Sequence, residues 1–522
     1  MALLNVEWKK IVFRKVSERK LNSYSYRNLN VYYLCKIMSI YDKYQVVIGL
    51  EVHAQLSTKS KMYCADSAAF GVAPNTNVSP LTLGHPGTLP VVNEEAIISA
   101  VKMGLAMNCS IRNENGFARK NYFYADLPKG YQITQDKTPI CTDGTLLIKV
   151  DGKEKQIGIE RIHMEEDAGK STHDLDPYNT LIDLNRAGVP LIEIVFKPDL
   201  RSAEEAYQYL SEVRKLVRYL DICDGNMEEG SMRCDANISV FLKSKEDKFE
   251  NFGDRCEVKN MNSMRNVMKA IEFEFTRQID ILEAGGTIDQ QTRTFNAADG
   301  STSLMRSKEN ANDYRYFPEP DLPIVFVSDE EIAEIKHSMP KLSRELFNDY
   351  VNDLKLSEYD ANILSDDRDF AHYFNELIQF TTNYKAATNF MIGPVKSYLN
   401  EKAVDINDFP LKPETISKLV KLVEENKVNF NVASSKLFDA LLENELEPEA
   451  LAKSLNLIQE SDEGFISEII DQVLAQNAAK VAEYKGGNKN LLGMFMGQVM
   501  KASKGKADPK VASKMMQEKL GS

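Results

Sequence analysis

The sequence predicts an α+β fold that gives way to an all-helical C-terminal part, and three observations predict it. Between residue 46 and about 325, short β-rich runs mix with helical patterns and with loops rich in Gly, Pro, Asn and Asp. Those strands and helices do not alternate regularly, which separates the pattern from a doubly wound sheet. From Ser328-Asp-Glu-Glu to the C-terminus nearly every segment has helical period, and the acids there suit the first turn of a helix.

Taken in order, residues 1–37 do not read as a domain. They are basic, lack an apolar stretch of the kind a secretion signal carries, and run into Met38 before any pattern sharpens. An upstream start codon with Met38 as the working start would explain them, and so would a transit peptide. Residues 38–327 form the mixed part. Its strand-like runs are Gln45–Val52, Thr145–Val150, Asn237–Phe241 and Pro323–Val327, and its helical patterns are Glu94–Met107, Ala203–Leu220 and Ser263–Ala284. Residues 328–409 read as a helical domain. Pro410 and Pro413 mark the next break, with Pro413 opening a helix, and residues 410–522 read as a smaller helical tail. At 522 residues the chain exceeds one ordinary core, in keeping with about two to four domains.

No apolar run approaches the roughly 20 residues a membrane span needs. Seven cysteines without regular spacing suit a reducing cytosol, and the expected location is cytoplasmic. The net charge of −13 is unevenly spread. Residues 1–37 hold eight Lys/Arg against two Glu, and residues 480–522 hold nine Lys against three acids. An acidic body with a basic end can meet metal-bound substrate at one place and phosphates at another. In the tail, Lys485, Lys489, Lys501, Lys504 and Lys506 flank helices around glycine turns. They could track an RNA backbone, or simply be solvated.

Chemistry concentrates in the first half. Glu51 and His53 lie two apart on a predicted strand, so both point to one face. Gly158–His173 packs Glu160, Glu165, Glu166 and Asp167 with His163 and His173, a set that invites a hard divalent cation such as Mg²⁺. A solvated acidic turn is the plainer reading. Asp235, before a strand-like run, and Glu257, at the start of another, count against it. Lys120–Gln132 combines aromatics, amides, Lys120 and Lys129, and could meet a base or the 3′ end of an RNA, or form an aromatic corner of the core. Ala168-Gly-Lys-Ser171 imitates the end of a P-loop, but the required first glycine is Met164 and the intervening loop is acidic, so a phosphate cradle is rejected. A dinucleotide fingerprint is likewise unsupported.

Eight segments in one order resemble the B subunit of the tRNA-dependent amidotransferase: Val47-Ile-Gly-Leu-Glu51-Val-His53, Gly84–Asn93, Lys120-Asn-Tyr-Phe-Tyr124, His163–Lys170, Asp183–Arg186, Met227–Ser239, Asp313–Pro320 and Gly497–Gly505. Together they span about residues 45–520. The resemblance implies a glutamine-synthetase-like cradle domain, a helical domain, and a small helical tail of the YqeY type. It implies a ligase that uses ATP and Mg²⁺ to phosphorylate the side-chain carboxylate of Asp-tRNA(Asn) or Glu-tRNA(Gln). Ammonia from a partner then displaces phosphate, giving Asn-tRNA or Gln-tRNA. By matching motifs it implies Glu51, His53 and Glu165 as catalytic, metal-holding residues, with Asp235 and Glu257 completing a second metal position. Lys120, His163, Glu166, Lys170 and Arg186 would contact phosphate or substrate or support those that do, and the five tail lysines would hold the tRNA body.

There are two departures from the family pattern. Many members carry four cysteines that bind zinc; here Cys64 is accompanied by Asp66, Ser79 and Thr82, so no zinc is expected. Ala125 replaces the family's usual proline. The chain offers no Ser-Ser-Lys or Cys-His arrangement for releasing ammonia from glutamine. The partners expected in a heterotrimer are therefore an amidase, the A subunit, together with a small C subunit. The rival readings are a stand-alone ATP-dependent amide ligase acting on a small amino acid, which would not need the basic helical tail, and a non-catalytic RNA-binding protein, which would not need the acid and histidine cluster.

Overall fold

The protein is described from a computed structural model covering residues 40–173, 175–307, 314–444, 446–459, 463–503 and 507–521. The N-terminal extension 1–37, Asp313, Lys504 and Lys506 therefore lie outside the described residues. The chain divides into two compact units, one running through Val217 and resuming at Asp221–Ser338, the other comprising Arg218–Leu220 and Met339–Ser522.

The first unit is built on a nine-stranded sheet. Its strands are β1 (Tyr44–Gln55), β2 (Ser110–Ile111), β3 (Cys141–Val150), β4 (Lys153–Glu166), β5 (Pro190–Phe196), β6 (Met232–Leu242), β7 (Cys256–Met261), β8 (Gln291–Asn296) and β9 (Ser301–Ser307). They lie in the order β9-β8-β7-β6-β1-β5-β4-β3-β2, antiparallel throughout except for the parallel β7/β8 pair. The first strand in sequence is thus central, bonded to β5 and β6 on its two sides.

The sheet has two unlike faces. Along β1 from Gly49 the even residues Leu50, Val52 and Ala54 are buried, while Gly49, Glu51, His53 and Gln55 are half-exposed. Cys234, Ala236 and Ile238 of β6 continue the apolar face. Three helices, α1 (Glu94–Ala106), α2 (Ala203–Tyr219) and α3 (Met264–Glu283), cover that side. Tyr44, Val240 and Ile279 form one contact between sheet and α3, and Tyr209 of α2 meets Phe196 edge-on at 4.2 Å between ring centroids. Helices on one side supply the apolar burial, so the other face of the central strands is free to carry charge.

Six of the seven strand-like and helical runs of the sequence coincide with β1, β3, β6, α1, α2 and α3; the seventh, Pro323–Val327, holds only the two-residue strand Val325–Phe326, paired with Glu114–Asn115 outside the large sheet. The fourth strand is not among those runs: Lys153–Glu166 is one unbroken strand that ends in the acidic segment, whose Glu165, Glu166 and Asp167 are buried. Those residues are neither a solvated turn nor a P-loop, since the chain continues into a two-stranded hairpin of Lys170–Thr172 and Leu181–Asp183. A smaller sheet of Ala118–Asn121, Tyr131–Thr134 and Phe317–Pro318 stands at the end of β4. Helix α4 (Asp329–Ser338), whose start marked the change of texture, belongs with the first unit through its contacts with α1.

The second unit is helical among its described residues. One hydrophobic cluster draws on residues on both sides of Pro410 and Pro413, from Leu346 to Ala452, and Pro413 occupies the first turn of a helix. A separate cluster from Ile466 to Leu520, centred on Phe495, Val499, Ala512 and Met516, holds the last helices together.

One buried acid fixes the edge of the large sheet. Glu274 on α3 is fully buried, bonded at 2.7 Å by Arg277, paired at 3.0 Å with Arg293 of β8, and also bonded by Thr302 of β9. Burial opposes its ionisation, but Arg277 and Thr302 hold its carboxyl below the usual range. Truncating one partner of a buried pair leaves the other charge uncompensated. Glu274→Ala is expected to cost about 3–5 kcal/mol, measured as a lower midpoint in urea denaturation.

Candidate functional site

The charged face of the sheet gathers side chains from five adjacent strands. Register does the gathering: Glu51 lies opposite Asp235, His53 lies opposite both Glu193 and Arg233, and His163 lies opposite Glu193. Directly opposed residues in antiparallel strands share a face, so side chains from β4, β5, β1, β6 and β7 converge.

Two triads result. In the inner one His53, Glu165 and Glu193 present ligand atoms within 4.8 Å of one another, and in the outer one Glu51, Asp235 and Glu257 do the same. The sequence grouped Glu51 with His53 and Glu165; the geometry places it with Asp235 and Glu257 and fills the inner set with Glu193. Sequence reading passed over Glu193 because it sits in the apolar run Pro190–Phe196, and its signal was that lone acid among residues that should all be buried.

The electrostatics follow from crowding. His53 Nε2 stands 3.2 Å from Glu193 and 3.9 Å from Glu165. His163 Nε2 stands 3.3 Å and 3.8 Å from the same two acids. Burial alone would lower both imidazoles, but Glu193 and then Glu165 outweigh it, holding His163 at about 9 and His53 above its usual value. In return, against burial, His163 and His53 drive Glu193 well below the carboxylate range, and His163 together with Lys120 holds Glu165 down. Glu51 goes the other way: burial and then Glu193, Asp235 and Glu257 push it up. Lys259 spans Asp235 and Glu257, 2.9 Å from the latter, and Asn237 donates to Glu51 at 2.9 Å.

The remaining predicted residues surround the triads. Lys120 projects from the small sheet toward Glu165, 5.0 Å from the ring centroid of Tyr314 and 6.0 Å from that of Tyr122. Thr134 of the same sheet donates to Glu165 at 3.2 Å. Glu166 is turned away from the triads and accepts from Lys129 and, at 3.0 Å, from the backbone of Ile133. Arg186 binds the carbonyls of Ala168 and Gly169, and Lys170 stands exposed on the hairpin; neither belongs to a triad. Asp167, bonded at 2.6 Å by Gln55 and at 2.8 Å by Arg233, anchors the turn after Glu166. Around Cys64, Asp66 accepts from Thr82 at 2.5 Å and from the Ser79 backbone at 2.8 Å, and Cys64 lies 3.5 Å from Thr82. In the tail Lys485, Lys489 and Lys501 are exposed, with Lys489 4.2 Å from the ring centroid of Tyr484.

Carboxylate oxygens joined by one imidazole suit a hard divalent cation. At Glu51, burial together with the neighbouring acids Glu193, Asp235 and Glu257 outweighs the Lys259 ammonium, a setting in which a divalent cation would be favoured. Both triads therefore fit Mg²⁺ on donor chemistry.

Comparison with known proteins agrees with this architecture. Residues 46–333 match the family described as GatB/GatE catalytic domain, and residues 372–520 match one described as GatB domain. These matches define an amidotransferase-type catalytic unit followed by its own C-terminal domain. The B subunit of aspartyl/glutamyl-tRNA(Asn/Gln) amidotransferase from Syntrophotalea carbinolica is 46% identical over 92% of this chain and 99% of its own length. Its counterparts from Trichlorobacter lovleyi and Geobacter sulfurreducens are each 47% identical, over 92% and 91% of this chain and 99% of their own. The chain belongs to the B-subunit family of aspartyl/glutamyl-tRNA(Asn/Gln) amidotransferases.

His163 gives this site a pH signature. A group whose folded value is raised stabilises fully below its unfolded value, near 6.5, and that contribution fades as pH rises through about 9. In EDTA, stability should therefore fall by on the order of 3 kcal/mol between these limits. Urea titrations across that range should show the slope in the native protein and a flatter one in His163→Gln.

Proposed function

We propose that this chain is the carboxylate-activating, tRNA-binding subunit of a tRNA-dependent amidotransferase, converting mischarged Asp-tRNA(Asn), Glu-tRNA(Gln) or both to Asn-tRNA and Gln-tRNA. The observation that carries the reading is the pair of adjacent acidic triads on one face of the central strand. A carboxylate is a poor electrophile toward ammonia and an acyl phosphate a good one, so transfer of the γ-phosphoryl of ATP to the substrate carboxylate must come first. That step brings two anions together, and Mg²⁺ supplies the charge that lets them approach.

The chain's own residues then have distinct tasks. His53, Glu165 and Glu193 would hold one ion, and Glu51, Asp235 and Glu257 the other. Lys120, poised beside Glu165 with Tyr122 and Tyr314, would face the polyphosphate or the substrate carboxylate. His163 and Thr134 fix the carboxylates of the inner triad. Lys170 and Arg186, placed around the turn after Glu166, are proposed to contact the incoming phosphate or tRNA end. The mixed unit is proposed to be a glutamine-synthetase-like cradle, and the helical part that follows to end in a tail of YqeY type. Ammonia would come from an amidase serving as the A subunit, with a small C subunit completing a heterotrimer in the cytoplasm. No described helix is long and apolar enough to cross a membrane.

ATP hydrolysis by the complex with free ammonia tests the reading. Hydrolysis is expected with a mischarged tRNA, but not with correctly charged tRNA or free glutamate. Glu165→Ala should abolish it, by a factor on the order of 10³, while leaving tRNA affinity intact. Equal hydrolysis with free glutamate would instead support a small-molecule ligase.

The tail is tested separately. Neutralising Lys485, Lys489, Lys501, Lys504 and Lys506 together should weaken tRNA binding and reduce the slope of log affinity against log salt by about 0.7 for each phosphate that no longer meets a lysine. An unchanged slope would remove these lysines from the interface.

A further inference from the structure

The two triads are filled by different kinds of internal cation. At ion-pair distance from the inner acids stand the imidazoles of His53 and His163, with the Lys120 ammonium facing Glu165 from farther off, and a ring that has lost its proton can remain as a metal ligand. Between the outer acids lies the ammonium of Lys259, bonded to Asp235 and 2.9 Å from Glu257. It sits two residues beyond Glu257 on β7, so the strand's alternation returns it to the same face. An ammonium has three donors and no lone pair, so it can only compete for these oxygens and never share them with a metal. Glu51, the third acid of the set, takes its hydrogen bond from Asn237 and is left facing both Asp235 and Glu257.

We propose that Lys259 is a resident counter-cation that keeps the outer triad closed to divalent ions until its ammonium is drawn away to another anion. This rests on the proposed function, in which both triads hold ions, and it makes the two positions unequal. The inner position fills in the free protein. The outer one fills with the nucleotide, whose phosphates offer the ammonium a new partner. A lysine suits such a task better than an arginine, because its compact head on a flexible four-carbon stem can leave without breaking a planar two-pronged contact.

Mn²⁺ binding by the full-length chain, followed by calorimetry and by the electron-spin-resonance signal of free Mn²⁺, tests this without reference to turnover. The native protein without nucleotide should bind one ion tightly and a second at least about tenfold more weakly. In Lys259→Met the second should tighten by about tenfold or more while the first is unchanged. A non-hydrolysable ATP analogue should narrow the gap in the native protein and have less effect in the variant. Lys259→Gln, which keeps a hydrogen-bonding head without the charge, should behave the same way and serves if the methionine variant does not fold. One tight ion with a second that is unmoved or weakened in the variants would overturn the role of Lys259 alone. No ion bound by the native protein would overturn the two-ion reading itself.

Discussion

The constraint on which the rest of this structure depends is the convergence of five carboxylates, Glu51, Glu165, Glu193, Asp235 and Glu257, on one side of a buried central strand. Unpaired charges in such a setting would neutralise themselves or unfold the sheet. The protein answers with internal cations. His53 and His163 flank the inner acids, Lys259 spans two of the outer ones, and Lys120 approaches from the small sheet. Because several of these pairs join different strands, His53 on β1 with Glu193 on β5 and Lys259 on β7 with Asp235 on β6, the charges hold only if those registers are kept. That makes the sheet's hydrogen-bonding order and the site's charge balance one requirement.

Such a cluster could not also supply the hydrophobic stabilisation of the unit. The opposite face does so: the even residues of β1 and β6 are sealed by α1, α2 and α3, so the apolar and the ionic demands are separated by the thickness of one sheet. The buried Glu274 network shows the same logic at the sheet's edge, where a second charged cluster, satisfied by Arg277, Arg293 and Thr302, ties α3 to β8 and β9.

Much of this was legible in the sequence because it depends on local period. The alternation Glu51-Val-His53 foretold both a strand and the face it would present, and the capped, amphipathic runs became α1 and α3 with Asn93 and Ser263 accepting from their first-turn N–H groups. What the sequence could not convey was pairing. Nothing local says that Asp235 lies opposite Glu51 and not His53, and so the split into two triads emerged only from register. Glu193 and Lys259 were overlooked for related reasons: one is an acid inside an apolar run, the other a lysine whose importance lies in spanning two strands. Lys170 and Arg186 lie off the triad face, because the chain turns at Ala168 and Gly169, whose carbonyls Arg186 binds.

Consecutive glutamates at the end of β4 show how one short motif serves two purposes. Successive side chains on a strand point to opposite sides, and Glu165 accordingly enters the inner triad while Glu166 faces the strand pair Ala118–Asn121 and Tyr131–Thr134. There Glu166 accepts from the Ile133 backbone and from Lys129, fastening the aromatic loop between those strands, and Thr134 on the same strand reaches back to Glu165. The small sheet carrying Lys120 is thus held through the same two residues that belong to the site and to its wall. Any shift of β4 by one residue would exchange their roles, leaving the triad without its acid and the loop without its anchor. The adjacency of Glu165 and Glu166 is therefore a geometric device: it sets the distance between the ion-binding face and the cationic, aromatic rim that must meet the substrate.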